Sequence, residues 1–174
     1  MAVFSLPYMY ENYAQVDATT ADGGPAEALR EILRGKGIEV LAWGENGFRE
    51  VTNNTRPIKT PADMQGLNMR VAGPMYIDVM NALGANPQQM QWTETMTALQ
   101  QGVVDGQENP MSDIESSKLF EVNKYVSLTA HKWESPPFLM SKIAQARLGA
   151  DLEAVKAAAK EAGDLQRKLS AEKE

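Results

Sequence analysis

The chain contains no cysteine and one histidine in 174 residues. The first absence removes disulfide frameworks and thiolate metal sites, although it decides nothing about compartment. The second leaves His131 as the sole imidazole. No nucleophile signature surrounds it, so a Ser-His-Asp or Cys-His machinery is not indicated. No His/Cys cluster has metal-ligand spacing. Positive charge is also short: 17 Lys and Arg stand against 23 Asp and Glu, giving a net charge of -6. Nucleic acid requires a basic face, so that class of partner is excluded. No apolar run approaches the ~18 residues of a membrane-spanning helix. The opening Met1-Ala2-Val3-Phe4-Ser5-Leu6-Pro7 lacks the basic and apolar regions of a signal peptide, so any export signal is expected to lie outside this sequence. The glycines form neither a phosphate loop nor a dinucleotide fingerprint, and no repeat or low-complexity linker is visible. No cofactor is implied.

What remains is ordinary globular composition, with length for one domain or two small lobes. The first 24 residues read as loop-rich with one short helix. Pro25 to Arg34 is a helix with Leu29, Ile32 and Leu33 on one face, closed by Gly35 and Gly37. Ile38 to Trp43 and Gly47 to Thr52 are strands. Thr60-Pro61-Ala62-Asp63 opens a short helix that Gly66 closes. Leu67 to Val71 is a strand and Pro74 to Leu83 a helix capped by Gly84. Met90 to Trp92 is extended, and Thr93 caps a helix that stops at Gly102. Val103-Val104-Asp105 reads as a buried strand, and Pro110 to Phe120 as a helix opened by Asn109. Lys124 to Thr129 and Pro137 to Ser141 are strands, and Ala150 to Lys173 is a long helix. Strands alternating with helices of about ten residues predict an α/β fold with largely parallel pairing.

The chemistry concentrates in two places. Arg70 follows Leu67 and Met69 in an alternating strand and therefore faces away from their side. A strand-end guanidinium can hold a carboxylate through two parallel charge-assisted bonds. A surface arginine or a structural ion pair explains it equally simply. Arg49, beside Glu50, has the same ambiguity. Asn109 before Pro110 reads as an ordinary helix cap, yet ligands of open α/β sheets sit at such helix starts. Trp92, Trp43 and Trp133 lie at the ends of extended segments, where rings wall a pocket or fill a core. Met75, Met80 and Met96 read as core filler. Asp105, Glu108 and Glu115 supply carboxylates, but their spacing does not single out a glycosidase pair. The residues alone leave open a binding protein and, as an alternative, a carboxylate-using α/β enzyme such as a lyase or hydrolase.

Several segments carry a resemblance: Gly47-Phe48-Arg49, Ile58 to Val71 (IKTPADMQGLNMRV), Leu83-Gly84-Ala85, Ala98 to Pro110 (ALQQGVVDGQENP) and Phe120 to His131 (FEVNKYVSLTAH). In this order they resemble the extracytoplasmic solute-binding proteins of tripartite ATP-independent periplasmic (TRAP) transporters, of the C4-dicarboxylate-binding type. The likeness spans nearly the whole chain. It implies a periplasmic-binding-protein-like fold of two α/β lobes joined by crossing strands and closing on an organic acid. Residues 1–46 and 135–174 would belong to the first lobe and residues 47–134 to the second. The chain would be an internal fragment with the first lobe incomplete. The family roles carried over are Arg70 pairing with the ligand carboxylate, Asn109 bonding the same group, Arg49 adding a contact, and Trp92 lining the pocket; Trp133 is the second candidate ring for that wall. The resemblance further implies a periplasmic binder rather than an enzyme, with membrane TRAP subunits as partners. The truncated chain would bind ligand weakly or not at all, with its exposed core covered by self-association or by rearrangement of its terminal segments.

Overall fold

The computed structural model describes Phe4 and residues 6–172; the expected helix end at Lys173 lies outside them. The chain divides into two compact units. One runs up to Gly47 and resumes at Trp133, and the other holds Phe48–Lys132. In chain order the helices and strands are α1 (Tyr13–Thr20), α2 (Ala26–Gly35), β1 (Ile38–Trp43), β2 (Gly47–Asn53), β3 (Asn68–Val71), α3 (Pro74–Ala82), β4 (Asn86–Gln89), α4 (Trp92–Gln100), β5 (Gly106–Pro110), α5 (Met111–Ser116), β6 (Tyr125–Glu134), β7 (Pro137–Ser141), α6 (Lys142–Leu148) and α7 (Leu152–Ala171). The unit boundaries fall inside β2 and β6, so these two strands carry the chain between units.

In the first unit β1 pairs antiparallel with β7. Helix α2 packs Ala26, Leu29 and Leu33 against Val40 and Trp43. Ile32 does not join them and is 58% exposed. Arg30 takes its place: one helical turn from Ala26 and buried, it donates to Thr20 O at 3.0 Å and Glu27 Oε2 at 3.0 Å. Helix α7 crosses β1 at Gly163, where an added Cβ would stand 2.6 Å from Ala42 Cβ.

The second unit is built on a five-stranded sheet in the order β4-β3-β5-β2-β6. Strand β3 is parallel to β4 and β5, and β2 is antiparallel to β5. Two apolar clusters pack within it. Met69 and Val71 of β3 join Val51, Leu67 and Met80, while Ala98 and Leu99 of α4 join Val104, Ile114 and Leu119. With Met69 and Val71 committed to the first cluster, the pleat turns Arg70 to the opposite face.

Several local expectations are corrected. Residues 103–105 form a turn, and the strand begins at Gly106. Val103 is exposed, whereas Asp105 is held by its backbone: its N–H donates to Asn68 O and its carbonyl accepts from Asn54 N. The polar run Gly-Gln-Glu-Asn-Pro is thus the central strand. Strand β4, Asn-Pro-Gln-Gln, was unforeseen because it has little strand propensity; it survives as an edge strand, where proline costs no ladder bond. Helix α6, capped by Ser141 Oγ accepting from Ala144 N, was also missed.

Gly106 explains how closely β2 and β5 approach. An added Cβ would lie 2.1 Å from Thr52 O and 2.7 Å from Asn53 Cβ. Both belong to the facing strand, so the strands must separate to admit even a methyl group. Gly106→Ala is expected to cost about 1–3 kcal/mol or more, as overpacking does, read as a lower urea midpoint. An unchanged midpoint would contradict this close approach.

Candidate anion-binding site

The functional side chains gather at one end of the second unit's sheet: the carboxyl ends of parallel β3, β4 and β5 and the start of antiparallel β2. Open α/β sheets place ligands at this end. Arg70, near the end of β3, is 4% exposed. Its Nε and Nη2 both donate to Met90 O, at 3.2 and 3.0 Å, just beyond β4. Its guanidinium carbon lies 5.2 Å from the ring centroid of Trp92, the 41%-exposed first residue of α4. Thr93 is therefore not the cap of that helix; Gln91 is, in a capping box with Glu94. Burial lowers the Arg70 pKa, the Glu108 charge opposes that, and the Arg49 charge adds to it. Among the described residues no carboxylate forms an ion pair with Arg70, and N–H groups beyond the two on Met90 O have no protein acceptor.

Arg49 lies in a different setting. Its Nε and Nη2 grip Glu108 Oε2 and Oε1 at 2.5 and 3.0 Å. Nη2 also donates to Glu108 O at 2.7 Å and to Asn109 Oδ1 at 2.9 Å. The register explains the pair: Arg49 stands opposite Pro110 and Val51 opposite Glu108, so Arg49 and Glu108 are diagonal neighbours on one face. The Tyr76 ring centroid lies 5.2 Å from the Arg49 guanidinium carbon and 3.5 Å from Lys132 Nζ. His131 Nε2 approaches Glu108 Oε2 at 3.4 Å, and its Nδ1 meets Thr129 Oγ1 at 2.8 Å. Burial alone would raise the Glu108 pKa, but Arg49 and His131 together hold it below the usual carboxylate range. Glu50 goes the other way: burial pushes it up, against hydrogen bonds from Ala130 and Thr129. Within this unit, buried Arg49, Arg70 and Lys132 outnumber the buried carboxylates Glu50 and Glu108. That field suits an anion.

Asn109 is not a helix cap. It sits inside β5 opposite Glu50, and Pro110 is the cap of α5. Its Oδ1 accepts from Arg49 and its Nδ2 donates to Gln107 Oε1 at 2.5 Å. The structure thus brings Arg49 and Asn109 into direct contact, stacks Arg70 on Trp92, and places Arg49 and Glu108 within electrostatic range of Arg70. Trp133 belongs to the other unit. It is buried there, donates Nε1 to Glu45 Oε1, and meets Tyr10 edge-on with ring centroids 5.5 Å apart. Sequence reasoning missed Gln107, Glu108, Tyr76, His131 and Lys132 as parts of this cluster. The available signal was the placement of Gln107-Glu108-Asn109 between Gly106 and Pro110, a polar run with no glycine or proline inside it.

Comparison with known proteins places this arrangement. The family model described as bacterial extracellular solute-binding protein, family 7, matches residues 1–174. The 2,3-diketo-L-gulonate-binding periplasmic protein of Escherichia coli is 39% identical over 174 residues, covering 99% of this chain and 53% of that protein. A TRAP periplasmic solute-binding protein of Ralstonia eutropha, solved with bound (S)-2-acetolactate, matches with a TM-score of 0.92 at 40% identity, over 98% of this chain and 55% of its own. One from a Sulfitobacter species, with bound β-D-galacturonate, matches with a TM-score of 0.92 at 37% identity, over 99% of this chain and 58% of its own. The chain spans about half the length of most of the proteins it matches.

Proposed function

Since the chain belongs to the bacterial extracellular solute-binding protein family 7, we propose that it supplies the carboxylate-gripping half of a periplasmic protein that hands a small organic acid to a TRAP transporter. One observation carries the reading: Arg70 is buried, has no carboxylate partner among the described residues, and keeps N–H groups without a protein acceptor. A buried guanidinium in that state is costly unless a ligand or water completes it. A ligand carboxylate does so with two parallel bonds. Asn109 adds a side-chain amide and Trp92 a flat apolar wall. Arg49 is committed to Glu108, so its role is to fix Asn109 and add positive field rather than to seize the ligand alone.

The lobe assignment is part of the same reading, with residues 1–46 and 135–174 in one lobe and 47–134 in the other. The names of the relatives favour a sugar acid over a C4-dicarboxylate: 2,3-diketo-L-gulonate, β-D-galacturonate and L-gulonate are bound by proteins similar to this chain. The cluster is built for binding rather than catalysis, since its fully buried carboxylate Glu108 is locked by Arg49. Alone, this chain binds its acid weakly. Its first unit exposes Leu139, Ile143, Leu165 and Leu169, apolar surface that self-association covers.

The test is calorimetry on the natural full-length polypeptide with D-galacturonate, L-gulonate, succinate and neutral D-galactose. Saturable binding of at least one acid, tightest for a sugar acid, and none of galactose is expected. Binding of galactose as tight as that of the acids, or of no acid at all, would sink the proposal.

A further inference from the structure

A single file of side-chain hydrogen bonds leads away from the site through the second unit. Arg49 Nη2 donates to Asn109 Oδ1 at 2.9 Å, and Asn109 Nδ2 to Gln107 Oε1 at 2.5 Å. Gln107 Nε2 donates to Thr52 Oγ1 at 2.9 Å, and Thr52 Oγ1 to Asn123 Oδ1 at 2.7 Å. Asn123 Nδ2 ends the file on Asp105 O at 3.4 Å. Asn109, Gln107, Thr52 and Asn123 are all buried. The register builds the file, because Thr52 stands opposite Gln107 on β2 and Arg70 stands beside Gln107 on β3.

Both ends force its direction. A guanidinium only donates and a backbone carbonyl only accepts. Flipping any amide between them would set donor against donor or acceptor against acceptor, in a place where unsatisfied groups cost about 1–3 kcal/mol each. With its oxygen held by Arg49 and one N–H held by Gln107, Asn109 has a single N–H left to offer. Arg70 also offers only N–H. A ligand group that meets both must accept from each: a carboxylate turns one oxygen to each donor, whereas a carboxamide laid the same way sets its NH2 against one of them and leaves a single oxygen to serve both.

We propose that Gln107 and Thr52 are positioning residues that lock Asn109 as an obligate donor, so that the site separates a carboxylate from its amide by this relay as well as by the charge of Arg70. The inference rests on the carboxylate-binding reading above. Arg49 cannot hold Asn109 firmly alone, since its Nη2 divides two N–H groups among Glu108 O, Glu108 Oε1 and Asn109 Oδ1.

The experiment compares Kd for D-galacturonate and D-galacturonamide in the full-length protein, in Gln107→Leu and in Thr52→Val. The acid-to-amide preference is expected to fall about tenfold or more in Gln107→Leu, a change of about 1.4 kcal/mol, and by less in Thr52→Val. Structural damage alone would weaken both probes alike, so an unchanged preference overturns the relay. A ligand-free measurement decides it independently. One Asn109 Nδ2 proton should exchange slowly with solvent by NMR in the unmodified protein and lose that protection in Thr52→Val. Rapid exchange of both protons in the unmodified protein overturns the relay. If no form binds D-galacturonate, that failure belongs to the ligand reading, and the exchange result alone judges the relay.

Discussion

Arg70→Ala should abolish tight acid binding while leaving the ligand-free fold as stable as before. Truncating one partner of a buried, hydrogen-bonded charge pair costs about 2–5 kcal/mol, roughly 30- to 5,000-fold in Kd. The upper end is expected, because the Arg70 side chain is buried and a carboxylate paired with it exchanges little with solvent. Stability should respond little. Burial already works against the Arg70 charge, and what the fold loses is a shared contact to Met90 O worth about 1 kcal/mol. Arg70→Lys should bind between the two, since an ammonium keeps the charge but cannot bond Met90 O and grip a carboxylate in one plane. Calorimetry gives the affinities and urea unfolding the stability. If Arg70→Ala unfolded several kcal/mol more easily yet bound acid normally, the guanidinium would be a structural strut and the proposed clamp would fail.

The second large effect concerns Glu108. Removing one member of a buried ion pair leaves the other charge uncompensated, at a cost of about 3–5 kcal/mol. Glu108→Ala should therefore destabilise the second unit by that order, and Arg49→Ala similarly. Replacing both with apolar residues, Arg49→Met with Glu108→Leu, should cost less than the sum of the single changes. The pair also sets a pH dependence. In the folded chain the Glu108 pKa lies below the ordinary value of a glutamate. Its contribution is thus complete above that value and lost as pH falls through the depressed folded pKa. Glu50 acts in the opposite sense. Its folded pKa is raised, so the stability it removes at neutral pH returns as pH falls through that raised value. Unfolding from pH 7 to pH 3 should show a falling acid limb that Glu108→Gln flattens, while Glu50→Gln raises the neutral plateau. An acid limb of equal slope in Glu108→Gln would show that other carboxylates carry it.

How much could be read in advance varies by element. Strands 38–43 and 47–52 and the helix from Pro74 followed from apolar spacing and from their Gly and Pro punctuation, which are local signals. The turn of Arg70 away from the side of Leu67 and Met69 followed from strand alternation. Strand β5 did not follow, because Gln107, Glu108 and Asn109 are buried only through partners on other strands. Asn109-Pro110 misled for a related reason: the same dipeptide that starts helices here ends a strand, and only the ladder to β2 tells the cases apart. The cap of α4 moved from Thr93 to Gln91 because Glu94, three residues on from Gln91, closes a capping box that Met96, three residues on from Thr93, cannot supply.

The sequence by itself determined the limits and the kinship: no thiol, one imidazole, an acidic surface, α/β alternation, and motifs shared with a family of solute binders. Tertiary structure alone decided which charges are neutralised. Arg49 and Arg70 look alike in sequence, yet Arg49 finds Glu108 across 59 residues of chain, whereas among the described residues Arg70 finds a carbonyl and the Trp92 ring. Register between distant strands sets that difference, since it fixes which side chains are diagonal neighbours on one face. Burial then raises the energetic weight of each pairing, made or left open for a ligand, beyond anything local sequence encodes.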